Sequence, residues 1–163
     1  MTDVIAALGM LADTGLPERG PALERFYERW KAEALVVDKW FSIQATSQRA
    51  DALADVRRLL DHPAFEIRNP NKVYALIGGF AGGNPVRFHD PSGGGYEFLA
   101  DQVLKLDRLN PQVASRMVKM FARWRKYDAQ RQELMRAQLE RIVKTEGLSR
   151  DVFEIASKSL EAT

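Results

Sequence analysis

Apolar side chains recur every three or four positions along almost the whole chain, and no stretch alternates convincingly with period two. That rhythm excludes a sheet and predicts an all-α fold. Residues 2 to 13 carry Val4, Ile5, Leu8 and Leu11 on one stripe. Residues 21 to 34 follow with Leu23, Phe26, Tyr27 and Trp30, and "ALVVDKWFSIQAT" with Val36, Trp40 and Ile43. A short helix over 51 to 61 buries Leu53, Val56, Leu59 and Leu60. Later stripes run from 96 to 107 and from 128 to 146, where Met135, Leu139, Ile142 and Val143 face inward. Gly147 stops that helix and Ser149 caps a last one reaching Leu160. At 163 residues the chain is long enough for one domain with its own core. The expectation is a single helical domain over 1–163, built of antiparallel helix pairs stacked as an α-solenoid.

Two helix starts share a signal. Asn69-Pro70 and Asn110-Pro111 each pair a capping side chain with a proline whose missing N–H costs nothing in the first turn. The first helix is expected to run through Val73, Leu76, Ile77 and Phe80. The second is expected as an unbroken stripe through Val113, Met117, Met120, Phe121 and Trp124.

Five of the eleven glycines crowd into "AGGNPVRFHDPSGGGY", residues 81 to 96, beside His89 and Asp90. Neither a dinucleotide fingerprint nor a P-loop spacing occurs, and no strand precedes the run. The other histidine, His62, lies far away in sequence, so a zinc corner is not expected. The glycines are expected to serve an interhelical loop that turns with positive φ and packs closely.

No serine lies in a nucleophile turn, and carboxylate pairs such as Asp51 with Asp55 are expected on solvated helix surface. With no cysteine there is neither a disulfide framework nor thiolate chemistry, and a cytoplasmic setting is the default. No apolar run is long enough to span a membrane, and the opening "MTDVIAALGMLAD" lacks a basic signal-peptide flank. Net charge is +2, but residues 105 to 136 hold nine Lys or Arg against Asp107, Asp128 and Glu133.

The blocks "VVDKWFSIQATS", "NPNKVYALIGGFAGGNPVRFHDPSGGGYEFLADQVLKLDRLNPQVASR" and "RKYDAQRQELMRAQLERI" resemble the C-terminal helical domain of bacterial aminopeptidase N, a zinc-dependent alanyl aminopeptidase family of the gluzincin class. The resemblance implies that the chain is part of a larger zinc enzyme removing N-terminal amino acids from peptides. It implies that the zinc, its His-Glu-x-x-His helix and the anchor for the substrate amino group belong to a catalytic domain of the same polypeptide. None of those motifs occurs here, so this chain is expected to hold no metal, cofactor or catalytic residue and to be inactive alone. It is expected instead to wall and gate the cavity that peptides cross. Gln112 would border the pocket for the first side chain, and Arg116, one turn on, would face peptide carbonyls or a C-terminal carboxylate. Tyr74 stands where some relatives place a second arginine, which argues against a two-arginine clamp.

Two other classes compete. Arg116, Lys119 and Arg123, followed by Arg125 and Lys126 with Trp124 and Tyr127 between them, suggest a single-stranded nucleic-acid surface. Trp124 continues the core stripe, however, and no nucleic-acid partner is expected. A free-standing interaction module is the second alternative; an apolar end exposed in an isolated piece would promote self-association.

Overall fold

The computed structural model describes residues 1–161. Among them there is no strand, and the all-α class expected from the periodicity holds. The chain forms two compact units, Met1–Arg87 and the part from Phe88 onward. No described helix is long and apolar enough to cross a membrane.

The first unit is organised around α3 (Ala34–Ala45), against which α1 (Thr2–Ala12), α2 (Arg19–Trp30) and α4 (Ala52–Leu59) all pack. The buried seam of α3 runs through Val37, Trp40, Phe41, Gln44 and Ala45, one position away from the expected Val36 and Ile43, which are half-buried. Trp40 is enclosed because its indole N–H has a partner, donating to the Leu23 carbonyl at 2.8 Å. On α2, Leu23 and Phe26 are buried, whereas Tyr27 and Trp30 are half-buried.

The Asn69 signal works as expected: its side chain accepts from the Asn71 N–H at 3.0 Å, with Pro70 opening α5 (Pro70–Val73). The helix then widens into a π-helical turn, Tyr74–Gly78, before resuming as α6 (Gly79–Gly83). Thus Gly82 and Gly83, expected in a loop, extend a helix that lies on α3. A Cβ on Gly79 would stand 3.2 Å from the Ala45 Cβ, so here the glycine lets two helices touch. Asn84, 1% exposed, closes the C-terminal end of α3 by donating to the carbonyls of Ala45 at 3.0 Å and Ser47 at 2.6 Å.

A short α7 (Pro85–Phe88) leads into the second unit, where α8 (Gly94–Asp107) is central and packs on α9 (Pro111–Val118) and α10 (Ala129–Val143). The last helix, α11 (Arg150–Glu161), packs on both α9 and α10. Gly93 precedes α8 with φ of 77°, a conformation that suits glycine. A Cβ on Gly95 would lie 2.4 Å from the Phe88 carbonyl oxygen, so no side chain fits there.

Asn110 caps α9 through the Val113 N–H at 3.2 Å, and Ser149 caps α11 through the Val152 N–H at 3.3 Å. The expected unbroken helix to Trp124 does not form. After Val118 the chain tightens into 3₁₀ turns at Lys119–Phe121 and Trp124–Lys126. A 3₁₀ turn brings residues three apart into register, and Phe121 and Trp124 are both buried. The Trp124 indole can then donate to the Ser159 carbonyl at 2.9 Å.

Candidate functional site

The exposed side of α9 carries two of the three residues singled out above. Val113, Ala114, Met117 and Val118 turn inward, leaving Gln112 and Arg116 exposed on one face. Residues four apart on a helix are lateral neighbours, so these two side chains present an amide and a guanidinium together. Ser115 between them is turned back on the helix, its hydroxyl donating to the Gln112 carbonyl at 2.8 Å. Tyr74 belongs to the first unit, where it is half-buried and opens the π-helical turn. Such turns widen a helix locally and occur often at functional positions.

A feature that local sequence reasoning missed lies on α4. Asp55 does not face solvent; its side chain is 7% exposed and is met by three guanidiniums. Arg19 reaches its Oδ2 at 3.2 Å, Arg49 the same oxygen at 2.9 Å, and Arg58 its Oδ1 at 3.0 Å. Arg19 also donates from Nε to the Ala12 carbonyl at the end of α1, 2.8 Å away, where the helix dipole favours a cation. Burial, and then the neighbouring Arg49, pull the Arg19 pKa below the ordinary arginine value. Asp51, the other half of the expected pair, is exposed and bonds Arg49 at 3.3 Å. Arg49 and Arg58 lie close enough in sequence to suggest partners for Asp55, but nothing local announces Arg19.

The second unit has its own buried polar knot. The Tyr96 ring is fully buried, and its hydroxyl is 2.8 Å from His89 Nδ1. Burial pushes the phenol up to about 12, so it stays protonated and donates. His89 therefore accepts at Nδ1 while its ring stacks on Tyr127 at 4.2 Å. Burial, aided by Arg131, holds the imidazole below its usual pKa. Arg131 Nε donates to the His89 carbonyl at 2.7 Å. His89 is thus a framework residue. Among the described residues no group of three or more His, Asp or Glu is arranged to hold a metal ion.

Part of the basic stretch is engaged internally. Arg125 donates to the Ser159 and Leu160 carbonyls and lies over the Trp124 ring at 4.1 Å. Arg131 pairs with Asp128 and Arg136 with Glu140. Trp124, 7% exposed and bonded to Ser159, offers no open face for a stacked base.

A family model described as a domain of unknown function, DUF3458_C, composed of ARM repeats, matches residues 1–161. ARM repeats are stacked helix arrays, in line with the array expected from the sequence. The chain is 52% identical over 161 residues to aminopeptidase N of Caulobacter vibrioides, covering 98% of this chain and 18% of the relative. Against aminopeptidase N of Escherichia coli the identity is 46% over 160 residues, again 98% and 18%. The crystal structure of Legionella pneumophila aminopeptidase A in complex with aspartic acid superposes with a TM-score of 0.95 at 40% identity, covering 100% of this chain and 19% of that one. The chain thus spans about a fifth of the length of the proteins it matches.

Proposed function

The chain belongs to the DUF3458_C family of ARM-repeat domains, and we propose that it serves in a longer zinc aminopeptidase as a helical wall of the cavity that peptides cross. Its likeness to aminopeptidase N along nearly its whole length is the observation that carries this reading. The zinc and the residues that hold it belong, in this proposal, to a catalytic domain of the same polypeptide. Neither histidine here begins a His-Glu-x-x-His sequence, since His62 precedes Pro63 and His89 precedes Asp90. The chain alone therefore has no peptidase activity, and the setting is cytoplasmic.

Within that cavity Arg116 takes peptide carbonyls or a C-terminal carboxylate through its planar fork of donors. Gln112, beside it on α9, borders the space for the first side chain of the substrate. Tyr74 contributes a ring and a hydroxyl in place of a second arginine. Binding by Arg116 matters only when the substrate extends far enough to reach it. In the full-length enzyme, Arg116→Ala should raise KM for peptides of four or five residues by about tenfold, the worth of one charge-assisted hydrogen bond, while short alanyl amides are barely affected. Equal losses on both substrate lengths would remove Arg116 from the site.

The interaction-module reading finds support in a groove of about 1090 Å³ between α1 and α2, lined by Val4, Leu11, Phe26 and Trp30 among others. In the longer enzyme this groove would be covered by the rest of the polypeptide; in the isolated chain it would drive self-association. Light scattering that stays monomeric over a wide concentration range would count against that covering.

A further inference from the structure

The run from Lys72 to Asn84 lies along α3 and is fastened to it on both sides of the π-helical turn. Before the turn, Lys72 Nζ donates to the Ala34 carbonyl at 3.1 Å and pairs with Asp38 at 2.5 Å, with its side chain only 9% exposed. After the turn, Gly79 meets Ala45, and Asn84 bonds the Ala45 and Ser47 carbonyls. The stretch between these fastenings, Tyr74–Gly78, therefore has to absorb any mismatch in length.

A π-helix pairs each carbonyl with the N–H five positions on, and an α-helix with the N–H four positions on. Where the first passes into the second, the count skips a carbonyl. Leaving such a group buried and unpaired is costly, so a donor from outside the helix is needed. Ser42 supplies one. Its hydroxyl donates to the carbonyl of Ala75, a buried residue within the turn, at 3.2 Å. The backbone of α3 comes close at the same place, since a Cβ on Gly79 would stand 3.8 Å from the Ser42 Cα. Ala75 directly follows Tyr74, so whatever holds the Ala75 peptide also holds the backbone from which Tyr74 projects.

We propose that Ser42 is a positioning residue for the peptide cavity: by holding the carbonyl left over in the widened turn, it fixes the ring and hydroxyl that Tyr74 offers to substrate. The inference rests on the reading of Tyr74 as part of the cavity wall. Ser42 acts through Tyr74 and touches no substrate itself. Its contribution lies in the donor rather than in its bulk. Threonine, which keeps the hydroxyl, is therefore an acceptable replacement, whereas valine, which matches threonine in shape without the donor, is not.

The test is steady-state kinetics of the full-length enzyme on a peptide of five residues. Ser42→Val should raise KM about threefold to tenfold, the worth of one neutral hydrogen bond, with kcat unchanged. Ser42→Thr should recover most of that loss. Tyr74→Ala should raise KM at least as much, and adding Ser42→Val to it should change nothing further, because the two residues act as one unit. A serine that only stabilises the fold would lower the melting temperature without moving KM, or would add its own loss to that of Tyr74→Ala; either result overturns the proposal. Equal losses in Ser42→Thr and Ser42→Val would assign the effect to packing and overturn it as well. If Tyr74→Ala raises KM while Ser42→Val does not, the proposal fails and the cavity reading stands. If Tyr74→Ala leaves every peptide unaffected, Tyr74 leaves the cavity wall and this inference falls with it.

Discussion

Asp55 in the first unit and Asp107 in the second are buried to nearly the same degree, 5% and 7% exposed, yet are held in opposite ways. Asp55 is surrounded by cations brought from α2, from the stretch before α4 and from α4 itself. Asp107 meets Ser149, whose backbone N–H donates to Oδ2 at 2.8 Å and whose hydroxyl donates to Oδ1. Neutral donors fix a carboxylate at a helix end without bringing in further charge. Guanidiniums do so while importing more charge than they cancel. The first solution depends on groups far apart in the chain; the second closes on itself.

The largest effect should come from removing the anion at the centre of the charged knot. Asp55→Ala leaves Arg19 buried beside Arg49 without its carboxylate partner, and the expected loss is about 3–5 kcal/mol. Urea unfolding reads it directly, and an unchanged midpoint would show that the arginines do not depend on Asp55. Next comes the tight packing that marks the second unit. Gly95→Ala places a methyl against the Phe88 carbonyl and should cost about 1–3 kcal/mol. Gly20→Ala, where an added Cβ meets nothing within 4 Å, is the matched control and should be close to neutral.

Ser149→Ala tests the neutral arrangement. It removes the hydroxyl donor to Asp107 and the α11 cap together, while the backbone N–H to Oδ2 persists, so about 1–2 kcal/mol is expected. A loss as large as that of Asp55→Ala would erase the distinction between the two carboxylates.

The smallest effect is a pH dependence. Both histidines have folded pKa values lowered by burial, and His89 also feels Arg131. A free histidine titrates near 6.5. Their contribution to stability is therefore complete above that pH and is lost as pH falls toward the lower folded values, where the unfolded chain takes up protons first. Thermal melts across mildly acidic pH should show this decline. The decline should flatten in His89→Gln and in His62→Gln, and a melting temperature that rises on acidification would reverse the sign argued here.

Much of the fold is legible because its signals are local. Asn69 and Asn110 cap within three residues of themselves, and Ser149 does the same, so each start can be read without tertiary knowledge. Gln112 and Arg116 share a face for the same reason, their spacing matching one turn. Asp55 was not legible as a buried group, because Arg19, a main reason it can be buried, is 36 positions away. The break after Val118 escaped notice because the apolar spacing continues through it; only the distant Ser159 carbonyl explains the turn of Trp124. Tyr74 gave no hint of a change in helix type, since widening a turn needs no special residue.

That widened turn has a mechanical meaning for the chain. By taking up an extra residue, the segment Tyr74–Gly78 sets the rotational phase between α5 and α6. Closing the turn to ordinary α-helix with every residue kept would twist everything downstream by about 100°. Gly79 would swing away from Ala45, and Phe80 would leave the core. The segment works like an indexing pin: composition around it can drift, but the turn cannot tighten without unseating the helix it aims.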